Sequence, residues 1–210
     1  MRTVIQVLLF IAAVALAYFI YQSIQRPIVF EKERAARYSA TIERLKDIRK
    51  AQIAFKEVNG RFTGDWDTLI NFVKYDSLRI VRRIGNLTDS MVEKGITERK
   101  AMQMGLIIRD TIRESVLHSV FGDNYNVDQL KIVPVPDTTA YFYLGATVIT
   151  TGSGIKVPVF EARAHNNVVL RDLDRQLVIN LNDQRRVQNR YPGLKVGSLT
   201  ETNNNAGNWE

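Results

Sequence analysis

Thr3 to Ile24 is an almost purely apolar run, TVIQVLLFIAAVALAYFIYQSI, and it limits what the chain can fold into more than any other stretch. A helix rises about 1.5 Å per residue, so roughly 20 apolar residues cross the ~30 Å hydrocarbon core of a bilayer. The run has that length, carries no charge, and holds only Gln6 and Gln22 as strongly polar members. Tyr18 and Tyr21 fall near one end, where amphipathic rings favour the membrane–water boundary. A buried helix of a soluble domain fits less well, because nothing on the run offers a polar face. The competing reading is a cleaved signal peptide, with small-residue sites at Ala13-Val14-Ala15 and Ala15-Leu16-Ala17. Cleavage there would leave an apolar N-terminus, Tyr18-Phe19-Ile20-Tyr21, and the preceding basic region holds only Arg2. Residues 1–25 are therefore expected to be a transmembrane anchor, with the lipid bilayer as its first partner.

The helical pattern does not stop at the membrane boundary. Beyond Pro27, apolar residues recur at Tyr38, Ile42, Leu45, Ile48, Phe55 and Val58, spaced by three, four or seven, until Asn59-Gly60 closes the helix. Residues 26–60 thus form an amphipathic stem helix. Pro27 is expected either to kink the rod or to start a new helix at its first position. Ten basic and five acidic residues between Arg26 and Arg61 make the stem basic. The signs mix freely, as in Glu33–Arg37 and Glu43–Lys46, which suits a solvated helix face laced with pairs one turn apart. Attraction to anionic head groups or an acidic partner is the second reading of that charge. No basic motif is joined to an aromatic reading surface, so nucleic acid is not expected as a partner.

About 150 residues remain for a head, the size of one ordinary domain. Asp65 precedes a short helix with Leu69, Phe72 and Val73 on its inner side. Ser77–Ile84 is β-branched and basic, an edge strand with Arg79, Arg82 and Arg83 discouraging illicit pairing. A short helix over Thr97–Met104 and a strand over Leu106–Ser115 follow. Three further strands are expected over Leu130–Val135, Ala140–Thr150 and Ile155–Ala164, the last two joined by the turn Thr151-Gly152-Ser153-Gly154. Leu173, Leu177 and Leu181 place a helix over Leu170–Val187, capped near Asp172, with a last strand at Leu194–Leu199. The fold class is α+β: an antiparallel sheet packed on the stem, with a further helix near the C-terminus. Residues 61–199 form the head, and residues 200–210 a polar C-terminal tail that ends in Trp209-Glu210.

No chemical site emerges. The chain has no cysteine, which excludes disulfides, a thiol nucleophile and thiolate metal ligands. His118 and His165 stand in different elements without clustered acids, whereas a metal needs three or four convergent ligands. Asp172 and Asp174 point to different sides of a helix and suit capping better than paired acid–base work. Gly152-Ser153-Gly154 is a turn and no phosphate-binding loop. Catalytic, cofactor and metal residues are accordingly none, no small molecule is indicated, and an enzyme is not expected.

The stretch Ile42–Val73, IERLKDIRKAQIAFKEVNGRFTGDWDTLINFV, resembles the stem-to-head passage of type IV pilins and type II secretion pseudopilins. In that family a membrane helix runs on as an amphipathic stem, often with a Pro just past the membrane. A Gly with an aromatic closes the stem, here Gly60-Arg61-Phe62, and a short Leu-bearing helix follows, here with Leu69. The order of elements is similar over roughly the first 85 residues. The family begins with a peptidase-cut leader and carries an acidic membrane residue. This chain opens Met1-Arg2-Thr3-Val4-Ile5-Gln6, so the likeness implies an unprocessed relative with neutral Gln6 in the acidic place.

What the resemblance implies is a non-enzymatic structural or assembly component of a cell-envelope complex, single-pass in a bacterial inner membrane. Its partners would be other membrane or envelope proteins, including copies of itself. The assembly contacts expected are Gln6, Pro27, Phe30 and Trp209. A membrane-tethered ligand- or peptide-binding sensory module is the alternative. Lys and Arg just past the anchor outnumber Arg2 and would keep the head in the cytoplasm; the resemblance implies a head outside it.

Overall fold

The computed structural model describes residues 2–86, 88–93, 95–136 and 138–210. Helix α1 (Arg2–Asn59) is followed by α2 (Trp66–Tyr75), strand β1 (Ser77–Ile84), α3 (Asp89–Glu93), α4 (Glu98–Gln103) and β2 (Ile108–Ser115). Next come α5 (Val116–Val120), a 3-10 turn (Val127–Lys131), β3 (Tyr143–Thr150) and β4 (Lys156–His165). The chain ends with α6 (Asn166–Val169), α7 (Arg175–Val187) and β5 (Gly193–Gly197). The class is α+β with antiparallel sheets, and a single N-terminal helix is long and apolar enough to cross a membrane among the described residues. Two compact units divide the chain, residues 1–49 with 130–210 and residues 50–129, so the boundary falls inside α1 rather than at its end.

Anchor and stem are one helix of 58 residues, about 87 Å at the ordinary rise. Pro27 neither ends α1 nor starts a new helix. Its missing N–H forfeits only the bond to the Ser23 carbonyl, which lies where the apolar run meets polar surroundings and other donors can reach it. The apolar run is exposed on every side, with Val4, Leu8, Phe10, Val14 and Phe19 all more than half accessible. Past Glu33 the picture inverts, and Thr41, Leu45 and Ile48 are fully buried. The helix closes with the Gly60 N–H reaching the Lys56 carbonyl at 2.8 Å. Val58, expected on the apolar stripe, is exposed.

In the unit of residues 1–49 and 130–210, β3, β4 and β5 form an antiparallel sheet in that order. The register sets Leu144 opposite Ala162 and Ala162 opposite Val196. With Phe160, Ala164 and Leu194 these residues make one buried apolar face, as period-2 alternation requires. The strand expected over Leu130–Val135 is not formed. A 3-10 turn occupies its start and a single bridge, Ile132 to Tyr141, its middle. The Asn126 side chain accepts from the Asp128 N–H and starts the turn, and Pro134 and Pro136 lack the donors a ladder needs. The helix expected over Leu170–Val187 begins only at Arg175, as α7; residues 170–174 form a turn between it and the preceding α6. Asp174, not Asp172, caps α7 by accepting from the Gln176 and Leu177 N–H groups at 3.0 and 3.3 Å.

The unit of residues 50–129 packs the last turns of α1 with α2 and α5. Phe55 and Phe72 meet edge to face at 5.1 Å between centroids. Buried Gln52 clamps the following loop, donating to the Thr63 carbonyl at 2.6 Å and accepting from its N–H at 3.2 Å. Asp65 caps α2, with Leu69, Ile70, Phe72 and Val73 buried. Among the described residues β1 and β2 pair only with each other, and exposed Arg79 stands opposite exposed Arg113. The side chains of Arg82 and Arg83 lie outside the described residues.

Candidate functional site

The first unit holds the features that bear on function, because there the apolar anchor continues into a stem that is tied to folded structure. Arg37 grips Asp172 with both arms of its guanidinium, Nη1 to Oδ1 at 3.1 Å and Nη2 to Oδ2 at 2.7 Å. That contact holds the Asp172 carboxyl below its usual range and explains why Asp172 does not cap α7. One turn-face over, the Tyr38 hydroxyl donates to Asn166 Oδ1 at 2.6 Å. Asn166 Nδ2 donates to Asn182 Oδ1 at 2.9 Å, and Asn182 Nδ2 to Asn167 Oδ1 at 2.8 Å. Asn166 and Asn182 are both buried. Burial also pushes the Tyr38 hydroxyl up from its ordinary value. A satisfied polar chain of this kind fixes one orientation of the elements it joins, here α1, α6 and α7.

At the other end of this unit the polar tail is docked. The Gly197 N–H donates to the Ala206 carbonyl and the Asn208 N–H to the Lys195 carbonyl, both at 3.0 Å, so residues 206–208 add a short rung to β5. The Asn208 side chain accepts from the Lys195 N–H and donates to the Gly193 carbonyl. The Trp209 ring lies over Gly207, leaving no room for a Cβ there. Arg49 donates to Glu210 at 2.7 Å and holds its carboxyl below the ordinary value.

The sheet face opposite the apolar one is polar. Buried Glu161 lies between Arg163 Nη1 at 3.0 Å and Lys195 Nζ at 3.6 Å. The Arg163 guanidinium also stacks on Tyr143 at 4.3 Å and on Tyr191 at 5.6 Å. The alternation in Lys156–His165 places Glu161, Arg163 and His165 on one face. Sequence reading nevertheless missed this cluster, because Tyr143, Tyr191 and Lys195 come from elsewhere in the chain. The arrangement pairs the buried carboxylate with Arg163 and Lys195 and sets the guanidinium against two aromatic rings.

The residues singled out from sequence are not gathered in one place. Gln6 is exposed among the apolar residues of α1, and Pro27 is exposed just past them. Phe30 is only 6% accessible and is therefore packed within its unit rather than open to a partner. Trp209 is half-buried on the docked tail. His165 caps α6, its Nδ1 accepting from the Asn167 N–H at 3.0 Å, and burial lowers its pKa. His118 bonds Asp123 at 2.6 Å, which raises its pKa. Among the described residues no three His, Cys, Asp or Glu side chains converge as a metal site would require. Comparison with family models, with curated proteins and with solved structures finds no match to this chain.

Proposed function

We propose that the chain is a single-pass membrane protein acting through protein–protein contacts, a structural or assembly component of a cell-envelope complex built like a pilin or pseudopilin. The observation that carries this reading is α1 itself. Its first part is apolar and bare on all sides, whereas its continuation is locked to folded structure by Arg37–Asp172, the Tyr38–Asn166–Asn182 chain and Arg49–Glu210. A bare apolar helix of this length is stable in lipid or against other such helices, and a rigidly coupled stem transmits its position to the head. Gln6 is placed to hydrogen-bond a neighbouring helix, an interaction worth about 1 kcal/mol in lipid. The head lies outside the cytoplasm in this reading, in a bacterial inner membrane.

Two measurements test it. The mass of the chain extracted in mild detergent from its own membrane should be that of a stoichiometric complex or self-assembly. A lone monomer would instead favour the tethered binding module. Alkaline phosphatase fused after Glu210 should be active, and an active cytoplasmic reporter at that point would overturn the orientation.

A further inference from the structure

The start of α7 and the loop before it flank α1 just where its apolar run ends. One groove is bounded by Phe19, Ser23 and Pro27 of α1 and by Asp174, Gln176 and Leu177. A second, one turn further along, is bounded by Arg26, Val29, Phe30 and Glu33 and by Asp172, Leu173 and Asp174. If Val4–Ile24 fills the hydrocarbon core, residues 19–30 of α1 run from the upper acyl region out through the head groups, since each residue adds about 1.5 Å. Leu173 and Leu177 then stand at that level while remaining half-exposed, and Ile28 and Val29 carry exposed apolar surface one turn past Arg26. In water such a ring of apolar groups is an exposed patch; at a bilayer surface it is an anchoring one.

The charges around the ring fit the same environment. Its two aspartates are already engaged, Asp172 by Arg37 and Asp174 by the first N–H groups of α7. Arg171 donates to the Thr138 hydroxyl. Arg26 and Arg175 have no acidic partner among the described residues. Glu33, half-buried on the second groove, is the acidic side chain that remains, against Arg26, Arg171 and Arg175. The balance left to meet the outside is therefore basic, on exposed side chains long enough to reach lipid phosphate.

We propose that residues 170–177 form an interfacial foot that seats the protein on an anionic bilayer surface. Leu173 and Leu177 enter the head-group–acyl boundary, and Arg26, Arg171 and Arg175 meet lipid phosphates. This rests on the membrane reading of α1, and the test keeps the two apart. The chain contains no cysteine, so single cysteines at Leu173, Leu177 or exposed Gln176 can each carry an environment-sensitive fluorophore, with Phe10→Cys as the anchor control. The full chain would be placed in nanodiscs of phosphatidylcholine, or of equal parts phosphatidylcholine and phosphatidylglycerol, with nitroxide-bearing lipid as quencher. With the nitroxide at the head-group–acyl boundary, strong quenching at 173 and 177 is expected in the anionic discs, and a nitroxide deep in the acyl chain should quench the Phe10 probe more than either. Quenching at 173 and 177 should be weaker in the neutral discs and weaker again in Arg171→Gln/Arg175→Gln. Should the leucine variants fail to fold, Gln176→Cys reads the same level from a solvent-facing position. Water-exposed probes at 173, 176 and 177 beside a quenched Phe10 probe would overturn the foot and leave the anchor standing. Equal quenching in both compositions would overturn the role of the arginines. An unquenched Phe10 probe would overturn the membrane reading on which both depend.

Discussion

Asn166→Ala is the substitution that most directly probes how stem and head are coupled. Asn166 is buried, accepts from Tyr38 at 2.6 Å and donates to Asn182 at 2.9 Å. Alanine removes two hydrogen bonds worth about 1 kcal/mol each and strands the Asn182 acceptor and the Tyr38 hydroxyl in partly dry surroundings. Asn182 is the drier of the two, so its penalty dominates and the expected loss is about 3 kcal/mol, near 10 °C in Tm for a chain of this size. Tyr38→Phe removes one donor and should cost about 1–2 kcal/mol. Because the two share a bond, the double variant should fall short of the sum by about 1 kcal/mol. The assay is urea unfolding of the full chain in detergent, read from Trp209 in a Trp66→Phe background so that the signal comes from the unit containing the network. An Asn166→Ala midpoint equal to the parent's, or strict additivity in the double variant, would refute the claim that the polar chain acts as one clamp.

Three further outcomes are expected. Gly197 has φ +73°, and a Cβ there would lie 2.1 Å from the Phe160 carbonyl oxygen; Gly197→Ala should therefore destabilise by several kcal/mol, about the scale of a strained backbone plus a forced shift, and an unchanged Tm would contradict the geometry. The Glu210 carboxyl is held below its ordinary 4.5 by Arg49, so its contribution to tail docking is complete above that pH and is lost as the pH falls through the lower folded value; Trp209 emission should shift to the red only in acid, and Arg49→Gln should abolish that step. Phe55→Ala should cost about 3 kcal/mol through the cavity it opens against Phe72, measured by denaturant midpoint in the Trp209→Phe background, where Trp66 reports.

Much of this architecture is decided locally and could be read along the chain. The apolar length of Thr3–Ile24 and the three-and-four spacing from Tyr38 to Phe55 require a long helix whatever surrounds it, and Asp65 caps α2 because the N–H groups it serves are three residues away. The alternation in Lys156–His165 sets one face of β4 in the core for the same reason. Tertiary structure decided the rest. Asp172 looked like the cap of α7 until Arg37, distant in sequence, claimed its carboxylate and left the role to Asp174. A polar tail that composition alone would leave free is held because Arg49 and the open edge of β5 supply its partners. The Glu161 cluster exists only once Tyr143, Tyr191 and Lys195 are brought beside β4. Phe30, apolar on a helix between membrane and stem, could have faced a partner or a core; the packing of α1 in its unit buried it. Periodicity and caps depend on neighbours within a turn, whereas ion pairs, docked termini and burial depend on residues that only folding brings together.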